Sequence, residues 1–358
     1  MKILFLNGIN LNNGGSSSNS FKFWIESLKK IHSVNILESV PKKSNYNILN
    51  KIYLFFLFLP GSLLRLFPSL LNEYLIKISL QHYFQIKKKF NLYDKVIISH
   101  HSVFYLVFFF KNLNLIVHDL IYVKSINNKN IRVYSKFILW FEIKFLKKAD
   151  KIFVQSYYEY RILKYILKKT NQVELISIQN FNLANEFTYK TKLKKNFAMI
   201  SNWRRYINLI SLRDFVNKNK NSRETINIYG YTNFFSKIFF YFMIKYKKKK
   251  IKLNFKGSFN DYKDIDEDFM IAANDYGAGI KLKVVEAVAN NKLIISTKKS
   301  LQGIPFDMRE LPIIPINTQI KEFNFDNYKN LSSIEINEYK NLFLLKHDRH
   351  FKNIVDVV

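Results

Sequence analysis

Short apolar runs, separated by stretches of helical length, divide the chain into two series. Ile3–Leu6, Val34–Leu37, Val96–Ser99, Leu115–Val117, Ile152–Gln155 and Leu175–Ile178 form the first. After the polar, basic stretch Asn182–Asn196, Phe197–Ile200, Ile226–Tyr229, Leu253–Phe255, Phe269–Ala273, Leu293–Ser296 and Ile313–Pro315 form the second. Runs this short, apolar throughout and rich in Ile, Val and Phe, suit strands buried on both faces, and the long spacers between them require parallel pairing. The pattern predicts an α/β chain of two doubly wound, Rossmann-like domains facing a cleft, with ligands outside the carboxyl ends of the strands. The expected boundaries are residues 1–188 and 189–335, with 336–358 a C-terminal helix packing back on the first domain.

Composition agrees with two cores. The 358 residues exceed what one core ordinarily serves, and 48% are hydrophobic, including 34 Phe and 22 Tyr. The absence of cysteine excludes disulfides and thiolate metal sites and fits a reducing compartment. The start MKILFLNG reads as a first strand rather than a secretory leader, so a cytoplasmic chain is expected. The longest apolar runs, Ile52–Leu59 and Phe104–Phe110, fall short of the roughly 20 residues that span a bilayer. A net charge of +30 favours nucleic acid, an anionic membrane surface or phosphorylated substrates as partners, or reflects a bias toward lysine-rich composition. The basic residues are dispersed and no nucleic-acid-binding module is present, which argues against nucleic acid.

With nine glycines in the chain, their clustering carries information. Gly14 and Gly15 lie in NNGGSSSN after the first strand, and Gly277 and Gly279 in YGAGIK after the strand ending near Ala273. Both clusters sit at strand-to-helix turns, where a ligand can approach the backbone and free helix N–H groups favour an anion. Lys281 and Lys283 follow at the start of a helix that is apolar nearly all round, a pattern of burial. Glu286 falls inside that helix, where a carboxylate is costly unless something hydrogen-bonds to it, as paired ribose hydroxyls would. The alternatives at these positions are a tight turn with no ligand, an exposed lysine pair and a glutamate paired within the protein.

The segment Tyr276–Thr297, YGAGIKLKVVEAVANNKLIIST, resembles the donor-site signature of retaining GT-B glycosyltransferases of glycosyltransferase family 4. Val117-His118-Asp119-Leu120, Lys148-Ala149-Asp150-Lys151 and Gln302-Gly303-Ile304 agree in order and spacing, so the resemblance runs from Lys2 to about Pro315. It implies a nucleotide-sugar donor on the second domain, an acceptor facing the first, and no metal or other cofactor. By position it assigns Glu286 to the ribose and Gly277, Gly279, Lys281 and Lys283 to the diphosphate. In Phe197–Asn208, FAMISNWRRYIN, it points to Arg204 or Arg205 on the phosphates, where a bidentate guanidinium fits well. It places His118 and its neighbour Asp119 near the donor sugar or the transition state. Three positions depart from the family: Ala278 replaces a second glutamate, Asn290-Asn291 replaces a small-residue pair, and Gln302 stands where Glu is common.

Other features carry weaker cases. His100 and His101 follow the third strand. Asp264-Ile265-Asp266 resembles a metal-binding Asp-x-Asp but lies before a strand, amid Asp261, Glu267 and Asp268, and reads as a solvated loop. Tyr53–Phe67 and Phe234–Lys250 mix aromatic and basic residues; each suits a membrane interface or a core helix over a sheet. The expectation is a hexosyl transferase acting on a glycan or lipid-linked acceptor in surface polysaccharide synthesis, cytoplasmic or peripheral on the inner membrane face. The alternatives are a nucleotide-sugar epimerase or hydrolase of the same fold, or a non-catalytic protein binding membrane or nucleic acid.

Overall fold

The computed structural model describes residues 1–7, 16–38, 90–99, 111–126, 132, 135–168, 172–178, 196–245, 250–259, 262–273, 280–309, 313–316 and 333–358. The chain divides into two compact units. Unit 1 is Met1–Asn180 with Phe351–Val358, and unit 2 is Phe181–His350.

Unit 1 holds a parallel sheet of β1 (Lys2–Asn7), β2 (Ser33–Glu38), β3 (Lys95–Ser99), β4 (Leu113–Val117), β5 (Lys151–Val154) and β6 (Val173–Leu175), in the order β2-β1-β3-β4-β5-β6. Ile3 to Leu6 are all buried, so both faces of β1 are covered, which explains its unbroken apolar sequence. Helices α1 (Ser16–Lys29), α2 (Ile121–Ile126), α3 (Ser135–Leu146) and α4 (Tyr157–Leu167) belong to this unit. From α1, Phe21, Trp24 and Leu28 enter one cluster with Phe5, Ile97, Ile116 and Phe153.

The sixth strand lies two residues before the expected Leu175–Ile178. Its continuation is met by the returning C-terminal segment: Lys352 N–H donates to Leu175 O (2.8 Å), and Ser177 N–H donates to Lys352 O (2.9 Å). The short helix Ile354–Val357 follows, with the Asn353 side chain accepting from Val355 N–H, and Ile354 and Val357 complete the same core cluster.

Unit 2 repeats the architecture with β7 (Phe197–Ile200), β8 (Thr225–Tyr229), β9 (Lys252–Gly257), β10 (Phe269–Ala272), β11 (Leu293–Thr297) and β12 (Ile313–Ile316). The order is β12-β11-β10-β7-β8-β9, and every pairing is parallel. Its helices include α5 (Tyr206–Lys218), α6 (Phe234–Lys245), α7 (Leu282–Ala289) and α8 (Ser333–His350). The C-terminal stretch is thus two helices rather than one. Helix α8 packs within unit 2, where His350 Nε2 meets both Asp307 carboxylate oxygens at 2.9 Å and Lys346 donates to Asp307 O.

Strand order locates the ligand edge of each sheet. In unit 2 the chain winds outward from β7 in one direction and from β10 in the other, so the switch point lies between these two neighbours. In unit 1 it lies between β1 and β3.

Candidate functional site

The loop leaving β7 is held tightly by β8. Ser201 N–H donates to Tyr229 O (3.1 Å), Trp203 N–H to Tyr231 O (2.9 Å), and the buried Trp203 indole N–H to Tyr229 O (2.8 Å). Gly230 makes this approach possible: its φ is +127°, and a Cβ there would stand 1.8 Å from Ser201 O. Anchored in this way, the loop presents Arg204 and Arg205 at its exposed end. Arg204 Nε donates to Thr232 O at 3.4 Å, and its guanidinium lies 5.5 Å from the Tyr231 ring centre. Arg205 is the N-cap of α5 and contributes no side-chain cap, although Asn208 Nδ2 closes the turn onto Asn202 O at 2.7 Å.

Helix α7 begins on the other side of the switch point. Lys281 occupies its N-cap, so Lys283 and Glu286 fall in its first two turns. Val284, Val285, Ala287 and Val288 are buried and anchor the helix. Lys283 Nζ donates to Ile200 O, the last carbonyl of β7, at 3.3 Å. The α7 start and the end of β7 therefore meet at the switch point. Desolvation, with a smaller repulsion from Lys281, lowers the Lys283 pKa from 10.5 to about 7.

Glu286 is half-buried and its Oε2 accepts from the Tyr262 hydroxyl at 3.0 Å. Burial, then the Glu286 charge, raises the Tyr262 pKa well above its ordinary value, so this phenol stays a donor. The glutamate expected to need ribose hydroxyls thus already has one protein partner. Tyr262 was not found by sequence reasoning; it opens the short turn that carries the Asp-Ile-Asp run. The helix ends on Asn290, whose N–H and Nδ2 both satisfy Glu286 O, while Asn291 takes φ 57°. Asparagine tolerates that left-handed conformation, which accounts for the Asn pair after the helix. Gln302 and Ile304 offer their carbonyls to Arg309, whose guanidinium lies over the Phe306 ring at 4.2 Å.

In unit 1, His118 stands directly after β4. Its Nε2 lies 3.0 Å from Ser99 Oγ at the end of β3, and its ring lies against Phe21 (4.8 Å) and Trp24 (5.8 Å). Trp24 is itself fixed by its indole N–H donating to Ser177 O at 2.6 Å. Two buried carboxylates hold the chain after Asp119. Glu159 accepts from Leu120 N–H at 2.8 Å, while Glu142 accepts from Ile121 and Tyr122 N–H at 2.7 and 2.9 Å. These satisfy amides at the start of α2 that would otherwise lack partners. Both glutamates escaped the sequence reading, yet Glu142 shares the helix face of Ile138, Phe141 and Phe145, and Glu159 that of Leu163 and Leu167.

Gly14, Gly15, Gly277, Gly279, Ala278, His100, His101 and Tyr53–Phe67 lie outside the described residues. Asp264 and Asp266 are exposed, but Glu267 and Asp268 are buried, which corrects the solvated-loop reading. Glu267 accepts from the Tyr229 hydroxyl (3.1 Å) and from Asn227 Nδ2. Among the described residues no group of three or more His, Asp or Glu side chains could hold a metal ion, and no helix is long and apolar enough to cross a membrane.

No known family's sequence profile matches the chain, and no curated protein matches it. Solved structures do. Sucrose-phosphate synthase from Thermosynechococcus elongatus gives a TM-score of 0.65 at 12% identity, over 100% of this chain and 96% of its own. Anabaena HepE in complex with UDP-glucose gives 0.60 at 12% identity, over 100% and 97%. A glycosyltransferase from Rickettsia africae gives 0.54 at 12% identity, over 99% and 95%. At this identity the likeness concerns the fold. With its two parallel six-stranded sheets, the chain has the α/β GT-B fold of glycosyltransferases.

Proposed function

We propose that this protein is a retaining glycosyltransferase that moves a hexosyl group from a nucleoside-diphosphate sugar to a glycan or lipid-linked acceptor in surface polysaccharide synthesis. The observation that carries this reading is the Lys283 ammonium on Ile200 O, which joins the start of α7 to the end of β7, the strand that leads into the loop bearing Arg204 and Arg205. Cations, a helix N-terminus and a carboxylate one turn further along suit a diphosphate with its ribose attached.

In this reading Glu286 receives the ribose hydroxyls, held in place by Tyr262. Lys281, Lys283 and Arg204 or Arg205 meet the diphosphate, together with the backbone at Gly277 and Gly279, and Gly14 and Gly15 face the donor from the first domain. As the bond to the sugar breaks, negative charge grows on the departing diphosphate, and fixed cations stabilise that state more than the ground state. The acceptor hydroxyl attacks on the leaving-group face, so no protein nucleophile is required. His118 and Asp119 act on the donor sugar by hydrogen bonding and electrostatics. The reaction uses no metal and no other cofactor, and the enzyme works in the cytoplasm.

The test is a thermal-shift panel of uridine, guanosine and adenosine diphosphate sugars, since a ligand bound only by the folded form raises its melting point. UDP-glucose is the first candidate, because the HepE structures of this fold are complexes with UDP, UDP and glucose, or UDP-glucose. One donor is expected to stabilise the protein, and Glu286→Ala to remove that shift. Unchanged donor affinity in Glu286→Ala overturns the reading.

A further inference from the structure

Helix α6 is apolar on two opposite sides. On the inner side Phe240 is buried in the unit 2 core, where it contacts Trp203 (5.8 Å) and Phe255 of β9 (4.2 Å), and Phe239 packs against the same cluster. At 3.6 residues per turn, Phe234, Phe235, Ile238, Tyr241 and Phe242 share the outer side. There Phe234, Phe235, Tyr241 and Phe242 are 72%, 75%, 55% and 51% exposed. A helix covering a sheet ordinarily turns polar residues outward, and the core side of α6 is already occupied. The outer rings form two edge-to-face pairs, with centres 6.1 and 5.8 Å apart, and together make an apolar patch of the kind that marks an interaction surface.

Charge indicates the occupant. Phe234–Lys250 contains Lys237, Lys245 and Lys247 to Lys250 and no Asp or Glu. Lys237 is exposed on the flank of the aromatic face, and Lys250 is exposed just before edge strand β9. Exposed aromatic rings on a lysine-rich segment without acidic residues match the boundary between lipid headgroups and acyl chains, where the rings enter and lysines reach anionic phosphates. A nucleic-acid strand stacks its bases in a charged groove. The outer side of a helix is convex and inserts into a yielding medium instead.

We propose that the outer face of α6 docks the protein on an anionic lipid bilayer, with Phe234, Phe235, Tyr241 and Phe242 at the headgroup boundary and Lys237 and the other lysines of this segment on lipid phosphates. The surface uses no residue assigned to the donor, so its failure and the failure of the donor reading are separable.

The experiment is flotation of the full chain with vesicles of phosphatidylcholine alone and with about 30% phosphatidylglycerol, a content chosen to give a strongly anionic surface. Binding is expected to the anionic vesicles, at least about tenfold weaker to the neutral ones, and to weaken as salt rises. Phe235→Ser/Phe242→Ser is expected to lower partitioning at least about tenfold, with melting temperature and donor-induced shift unchanged. As a fold-preserving check, Phe242→Trp should gain fluorescence that brominated anionic lipid quenches beyond the wild-type level. The proposal is overturned by equal binding to both vesicles, by no binding, or by unquenched Phe242→Trp. It is also overturned if these residues instead drive self-association or DNA binding without affecting flotation.

Discussion

The Tyr262 hydroxyl donates to Oε2 of Glu286 at 3.0 Å, a side-chain bond between the turn before β10 and the helix after it. It holds one oxygen of a carboxylate set in the otherwise apolar surface of α7. Tyr262→Phe is therefore expected to weaken donor binding about threefold to tenfold, the loss of one hydrogen bond, while Glu286→Ala abolishes it. Calorimetric titration with the donor sugar checks both. An unaltered dissociation constant in Tyr262→Phe would remove the phenol from the site.

The lowered pKa of Lys283 predicts that donor binding depends on pH. Its folded pKa is about 7, against 10.5 for an unperturbed lysine, so between these values the unfolded chain holds more protons than the folded one. The contribution of this residue to stability accordingly rises with pH across the window from about 7 toward 10.5, and is least and constant below about 7, where both states are protonated. A bound diphosphate favours the charged form, so donor binding should take up a proton above pH 7 and weaken as pH rises. Titrations in buffers of different ionisation enthalpy measure that uptake. Lys283→Met should eliminate it and flatten the pH dependence of the melting temperature between pH 7 and about 9.

Gly230 holds the arginine loop by having no side chain. Gly230→Ala places a Cβ against Ser201 O and a non-glycine residue at φ +127°. The expected loss is at least about 3 kcal/mol in chemical denaturation, together with weakened donor binding as Arg204 moves. A variant that keeps wild-type stability would show that the β7 and β8 loops can separate at little cost.

For His118, the prediction distinguishes catalysis from binding. His118→Ala should lower kcat on the order of a hundredfold, and Ser99→Ala, which releases the ring's Nε2 contact, about tenfold. Nucleotide affinity should remain unchanged in both if, as proposed, the nucleotide is held by Lys281, Lys283 and Glu286 of unit 2 and His118 meets only the sugar. Steady-state kinetics beside nucleotide titration separates the two quantities. A matching loss of nucleotide affinity would assign the histidine to donor binding.

The strands were legible because β1, β4, β7 and β10 are buried on both faces and cannot hide their apolar runs. The sixth was displaced because Ile176 pairs with Lys352, a contact that no local pattern encodes. At the site, the order of Lys281, Lys283 and Glu286 was readable, since helical spacing sets it. The partners that fix these residues were not, because Ile200 O and the Tyr262 hydroxyl come from distant segments. Glu142 and Glu159 were overlooked for a different reason. A glutamate in a helix is usually solvated, and only its position on an apolar face shows that it caps something buried. Helix α6 was ambiguous because it is apolar inside and out, and only its packing separates the two faces.

Ile354 and Val357 reach the core of unit 1 after all of unit 2 has been made. The core around Phe5, Phe21 and Trp24 is therefore closed by residues that the chain reaches only after running through the whole of unit 2. Unit 1 is thus discontinuous in sequence, and the segment that closes it also makes its backbone bonds beside β6.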